Sequence, residues 1–267
     1  MEHTDWDDLD APVREAIQRR TGPVCQARTA SAGLNSQLAL ILDAASGPVF
    51  VKGLPIGHPG VMRQHREAMI NSHITAVAPR LLWQAEEAGW NLLAFYYIPG
   101  ARHADYRPGS ADLPKVVAAM NRLRQIPCPD LPVKQATQRW AAYLDHKACT
   151  WLDGDALLHT DFNPLNVLIA PQATWIVDWA WPTRGAAFID PACFLLRLMA
   201  NGHTAASAEY WAAQCAGWDQ APPPAIDAFA TASARLFAEI AGDDPQTWKQ
   251  QIAGAADEWM SYRATSN

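Results

Sequence analysis

The sequence predicts an α+β protein of two lobes, a small β-rich N-terminal lobe over residues 1–97 and a larger helical C-terminal lobe over 98–267. Its 267 residues exceed the usual span of a single hydrophobic core. Up to residue 97 the apolar runs are short and punctuated by turn residues; beyond Ile98-Pro99-Gly100 they recur at helical spacing. That change of period sets the divide.

Residues 11–20 suit a short helix, which Gly22 and Pro23 end, so the fold proper is expected to start near Val24. Two apolar runs, 37–42 and 48–51, flank Asp43-Ala-Ala-Ser-Gly47, which reads as a hairpin turn, and the second run ends in Lys52. Val61, Met69, Ile70 and Ile74 predict a helix over 60–77, which Pro79 forbids from continuing. Further strands are expected at 81–83 and 91–97, with Glu86 and Glu87 in the turn between them. Helices are predicted at 112–126, 133–147, 190–201, 205–217, 224–241 and 246–264. One β hairpin, 167–169 with 175–177, interrupts them.

A formal net charge of −6 argues against a nucleic-acid partner, which calls for a basic face. No run reaches the roughly 20 apolar residues of a membrane span. The acidic N-terminus has neither the charged nor the apolar region of a signal peptide. Five cysteines, none in a C-x-x-C pair, read as free thiols, and the expected compartment is the cytoplasm. The histidines have no zinc-site spacing, and no G-x-S-x-G elbow supports hydrolase chemistry.

The chemistry concentrates in His159-Thr-Asp161-Phe-Asn-Pro-Leu-Asn166, followed by the hairpin and then Asp178. Phosphoryl transfer needs a carboxylate facing the attacking hydroxyl and separate oxygen ligands for the magnesium on the phosphates. Asp161 suits the first role; Asn166 and Asp178, at the two ends of the hairpin, suit the second. Each residue alone reads as an ordinary turn or surface group, and the pattern carries the inference only when taken together.

With these residues the sequence resembles the aminoglycoside phosphotransferase and choline-kinase-like family, whose fold is protein-kinase-like. The stretch from Asp178 to Asp190-Pro-Ala is similar to the family's metal-binding acid and the second acid that follows it. The resemblance implies that Asp190 braces the catalytic loop, that Lys52 contacts phosphate, and that Glu67 partners Lys52. It also implies a packing role for His159. Ser31 to Ser36 offers a glycine and small residues for a phosphate-covering loop, with Gly33, Asn35 and Ser36 as nucleotide contacts. Adenine is expected in the hinge against the backbone of Tyr96, Tyr97 and Ile98. A protein kinase is disfavoured, since Thr160 replaces the usual arginine and no D-F-G or A-P-E follows.

The activity so implied is transfer of the γ-phosphate of ATP, or GTP in its place, with magnesium, to a hydroxyl of a small molecule such as an aminoglycoside-like antibiotic or another amino or sugar alcohol. The alternative is a nucleotide-binding regulator of the same fold that catalyses no transfer. Trp179 and Trp181, flanking the metal site, are candidates to face substrate, and acids such as Asp219, Asp227, Glu239, Asp243 and Asp244 are candidates to draw an amine. Oligomeric state is not encoded in any motif.

Overall fold

The computed structural model describes residues 3–30 and 36–266. The chain divides into two compact units: one takes in Met1–Ala101 with Trp175–Ala180, the other Arg102–Thr174 with Trp181–Asn267.

In the first unit, helix α1 (Ala11–Thr21) carries Pro12 in its first turn and ends at Gly22, whose φ of 74° few other residues tolerate. Then come β1 (Val24–Thr29), β2 (Leu38–Ala44), β3 (Gly47–Pro55), α2 (Val61–Asn71), β4 (Leu81–Glu87) and β5 (Trp90–Tyr96). The strands form one antiparallel sheet in the order β1-β2-β3-β5-β4. Alternate residues Leu38, Leu40 and Leu42 of β2, Val49 and Val51 of β3, and Leu92 and Ala94 of β5 form one core with Val13 and Ile17 of α1 and with Leu9. The N-terminal segment is thus part of the core, and the fold does not begin at Val24 as expected.

The turns are tighter than the sequence suggested. Ala44 pairs with Gly47, so only Ala45 and Ser46 form the first loop. At the second, Glu86 and Glu87 are strand residues opposite Asn91 and Trp90, and the loop is Ala88-Gly89 with φ of 51° and 81°. Two positive φ values in a two-residue loop match the right-handed twist of the strands they join. Helix α2 stops six residues short of its predicted end. There the buried Asn71 amide donates to Pro79 O and accepts the N–H of Leu81, fixing the entry into β4.

The second unit contains β6 (Arg102–His103), α3 (Leu113–Leu123), β7 (Lys134–Gln135), α4 (Ala136–Arg139), α5 (His146–Cys149), β8 (Ala156–Leu158), β9 (Val167–Ile169), β10 (Thr174–Ile176) and β11 (Thr183–Gly185). Helices α6 (Ile189–Ala200), α7 (Ala205–Ala212), α8 (Pro223–Asp243) and α9 (Thr247–Ser266) complete it. Only Thr174 of β10 belongs to this unit; Trp175 and Ile176 open the excursion that belongs to the first. The helix expected over 133–147 is broken into β7, α4, a 3-10 turn and α5. Trp140 turns inward to meet Phe229 edge-on at 5.2 Å, and Asp145 caps a new start by accepting the N–H of Ala148. Tertiary burial of one indole overrides helix propensity here.

The short strands β6, β7, β8 and β11 were not anticipated. Strand β11 lies between β7 and β8, and a Cβ on Gly185 would come within 2.5 Å of Ala136 Cβ. Helix α6 is buried nearly all round, as a helix apolar on every side must be.

Candidate active site

In the first unit, β3 alternates Val49 and Val51 into the α1 core and so turns Lys52 to the other face of the sheet. Lys52 is 8% exposed. Its ammonium forms an ion pair with Glu67 of α2 and lies 3.4 Å from Asp178 Oδ1 and 5.8 Å from the Phe95 ring. Burial acts to lower the Lys52 pKa, but Glu67 and Asp178 outweigh it, and the net direction is upward. The amine stays protonated. Glu67 also accepts a backbone hydrogen bond from Trp179.

Asp178 has a φ of 63°. It belongs to the short excursion Trp175–Ala180, anchored by the Ile176 N–H to Val77 O at 2.7 Å. Trp179 is fully buried and donates its indole N–H to Ile176 O, so it does not face substrate as the sequence had suggested.

In the second unit, β8 leads directly into His159, Thr160 and Asp161. Asp190, in the first turn of α6, accepts the N–H of His159 at 2.9 Å and of Thr160 at 2.8 Å. Burial pushes the Asp190 pKa up, while the two N–H groups favour its ionised form. The brace matters because Thr160 holds a φ of 68°, a costly conformation for a β-branched residue. Arg139 adds a second hold, donating to Thr160 Oγ1 and to Thr183 Oγ1. Its guanidinium lies over the Trp140 and Trp181 rings at 4.8 and 5.6 Å. His159 is buried edge-on against Phe162.

The braced loop presents Asp161, whose side chain is 38% exposed. Its Oδ1 accepts from Arg197 of α6 at 2.9 Å and from the Asn163 N–H at 3.3 Å. Its Oδ2 accepts from Asn166 Nδ2 at 3.1 Å. Asn166 closes a 3-10 turn capped by Asn163, whose side chain accepts the Leu165 N–H. With Nδ2 committed to Asp161, the amide oxygen of Asn166 is turned away and has no hydrogen-bond partner among the described residues.

The structure therefore brings Lys52, Glu67 and Asp178 together in one unit, and Asp161, Asn166 and Asp190 together in the other. Gly33 and Asn35 lie outside the described residues; Ser36 is buried. Tyr96 is half exposed, and its backbone N–H is taken by Arg80 O; the buried Ile98 accepts the Ala101 N–H, and Tyr97 is half-buried.

Among the described residues no group of three or more His, Cys, Asp or Glu is arranged to hold a metal. A magnesium ion on phosphates needs only one or two protein oxygens, and the Asp178 carboxylate and the Asn166 amide oxygen are of that type. Arg197 and Arg139 were missed at the sequence level. Arg197 had a signal, since it stands seven residues after Asp190 and so shares its face of α6; Arg139 had none.

The sequence matches no protein-family model and no curated protein. Among solved structures it is similar to choline kinase LicA from Streptococcus pneumoniae, with a TM-score of 0.64, 14% identity, and coverage of 94% of this chain and 98% of that one. A thermostable mutant of aminoglycoside phosphotransferase APH(4)-Ia, in ternary complex with ADP and hygromycin B, matches with a TM-score of 0.61, 15% identity, and coverage of 93% and 98%. A choline/ethanolamine kinase family protein from Mesorhizobium loti gives 0.57, 16%, 92% and 88%. At these identities the likeness is one of fold. The chain has the protein-kinase-like α+β fold of these structures, as the resemblance in its motifs implied.

Proposed function

We propose that this chain is an ATP-dependent phosphotransferase that moves the γ-phosphate to a hydroxyl of a small molecule, in the broad class of sugar and amino alcohols. The observation that carries the reading is the Asp161 carboxylate. A loop braced by Asp190 holds it, Asn166 and Arg197 orient it, and it stays open to solvent. A carboxylate so held can accept a proton from an attacking alcohol. The similar structures crystallised with AMP, with ADP, or with AMP-PNP support the nucleotide half of the reading.

In the reaction so proposed, the acceptor oxygen bonds to the γ-phosphorus, the bond from that phosphorus to the β,γ-bridging oxygen breaks, and ADP leaves. Asp161 receives the hydroxyl proton. Lys52, held protonated between two carboxylates, offsets charge on the phosphates. Asp178 and Asn166 are the residues that would hold magnesium, which supplies further charge neutralisation when bound. Free thiols at all five cysteines fit a reducing cytoplasm.

The test is coupled ADP release from Mg-ATP or Mg-GTP across sugars, sugar acids, amino alcohols and aminoglycosides, with Asp161→Ala as the control. Acceptor-dependent release should fall by about 10²–10⁴-fold in the variant, while nucleotide binding persists. Equal turnover in the variant removes Asp161 from the chemistry. Nucleotide binding without transfer to any acceptor would favour the silent regulator.

A further inference from the structure

Two polar groups of the second unit keep hydrogen-bonding capacity that the protein leaves unspent. The Arg197 side chain is 14% exposed, and it makes one hydrogen bond, from Nη2 to Asp161 Oδ1. Nothing else among the described residues accepts from its remaining N–H groups. Tyr106 is 1% exposed, and its hydroxyl has no partner among the described residues. Its ring meets Phe194 edge-on at 5.2 Å. Phe194 and Arg197 are three apart on α6 and so share a face, and the charges of both Arg197 and Asp161 act on the phenol.

A buried polar group without a partner is rare and calls for an explanation, and the Tyr106 hydroxyl is one. The chemistry of the two groups limits what can satisfy them. A guanidinium has donors and no lone pair, and its planar fork matches carboxylate and phosphate. An ammonium group offers it no hydrogen bond and repels it. Three of the five acids read from the sequence as candidates to draw an amine are engaged elsewhere. Asp227 pairs with Arg263, Glu239 accepts from the Tyr143 hydroxyl, and Asp244 pairs with Lys249.

We infer that Arg197, with Tyr106 whose ring packs on the same face of α6, recognises the acceptor, and that the acceptor carries an oxygen anion near its reactive hydroxyl, as a sugar acid or hydroxy acid does. The inference rests on the phosphotransferase reading and narrows it to the oxygen-rich side of the acceptor class. Arg197 then serves twice: it holds the Asp161 carboxylate and offers its free N–H groups to the substrate oxygen.

The experiment has two arms. In the first, ADP release is measured with gluconate and glycerate against glycerol and serinol, for wild type, Arg197→Gln and Arg197→Lys. The acids should be preferred, and Arg197→Gln should raise their KM by roughly tenfold or more, the loss expected for a charge-assisted hydrogen bond. The lysine variant should recover part of it, and the KM for ATP should not move.

The second arm needs no turnover. Gluconate is titrated calorimetrically into protein saturated with magnesium and AMP-PNP. Saturable binding is expected in wild type, lost in Arg197→Gln and tightened in Asp161→Ala, where the competing carboxylate is gone. Arg197-dependent gluconate binding without phosphate transfer would uphold the subsite while sinking the phosphotransferase reading. A preference for serinol unchanged by Arg197→Gln, or no gluconate binding by wild type, would overturn the inference.

Discussion

Lys52 is a cation kept in a buried place by two carboxylates, and its energetics follow from that. Taking either partner of a buried pair away costs more than the pair contributes, because a desolvated charge is left behind. Replacing Lys52 with Met leaves Glu67, 5% exposed, without its ammonium, and should destabilise the protein by about 3–5 kcal/mol. Urea unfolding of Lys52→Met, Glu67→Gln and the double variant measures this. The double variant should recover most of the loss, since the orphaned charge goes with its partner; a double variant as unstable as Lys52→Met would assign the lysine's contribution to packing. Lys52 closing an apolar run and Glu67 on the following helix were paired in the sequence only through the family resemblance, since each alone reads as an ordinary solvated side chain; the strand in fact runs on past Lys52 to Pro55. The third member was legible only as a motif position. That Asp178 sits against Lys52 depends on a chain excursion with no local sign.

At the scale of elements, the start of the second unit is tied by charge. Arg102 of β6 donates from both terminal nitrogens to Asp112, at 2.5 and 2.7 Å, in the two-pronged geometry that makes such pairs strong. Asp112 lies just before α3, where the helix dipole favours an anion, and it also accepts the Asp105 N–H. These donors, Arg102 first, hold the Asp112 pKa down to about 2. A carboxylate with a depressed folded-state pKa contributes its stability above its unfolded value, near 4, and loses it as pH falls towards 2. The contribution is about 1–2 kcal/mol, once screening around the exposed Arg102 is allowed for. Asp112→Asn should lower stability at pH 7 by that amount and flatten the slope of stability against pH between 4 and 2. Denaturant midpoints across that window are the measurement, and an unchanged slope would mean that Asp112 is not the titrating group. The elements themselves were legible where periodicity is long, as in α6, α8 and α9. They were illegible at β6, β7, β8 and β11, where two or three residues pair with partners far along the chain and carry no period of their own.

At the scale of the molecule, the first unit owns Lys52, Glu67 and Asp178, and the second owns Asp161, Asn166 and Arg197. The motif from His159 to Asp178 was readable because it is contiguous. Its division between units was not, since Trp175–Ala180 joins the first unit through contacts that no neighbouring residue announces. The division makes a separable prediction about ligand and stability. A nucleotide that binds only the folded chain stabilises it by about 2.7 kcal/mol at a hundredfold excess over its Kd, which for a chain of this size is roughly 5 °C or more in Tm. AMP-PNP with magnesium should produce that shift in wild type. It should persist in Asp161→Ala, whose carboxylate is proposed to serve the acceptor, and vanish in the Lys52→Met, Glu67→Gln double variant, which removes the buried ion pair as a unit and with it the cation proposed to face the phosphates. Thermal unfolding of the three proteins with and without the nucleotide decides it. Loss of the shift in Asp161→Ala would place that carboxylate in nucleotide binding instead of proton transfer, and its retention in the double variant would free Lys52 from the phosphates and leave it a structural ion.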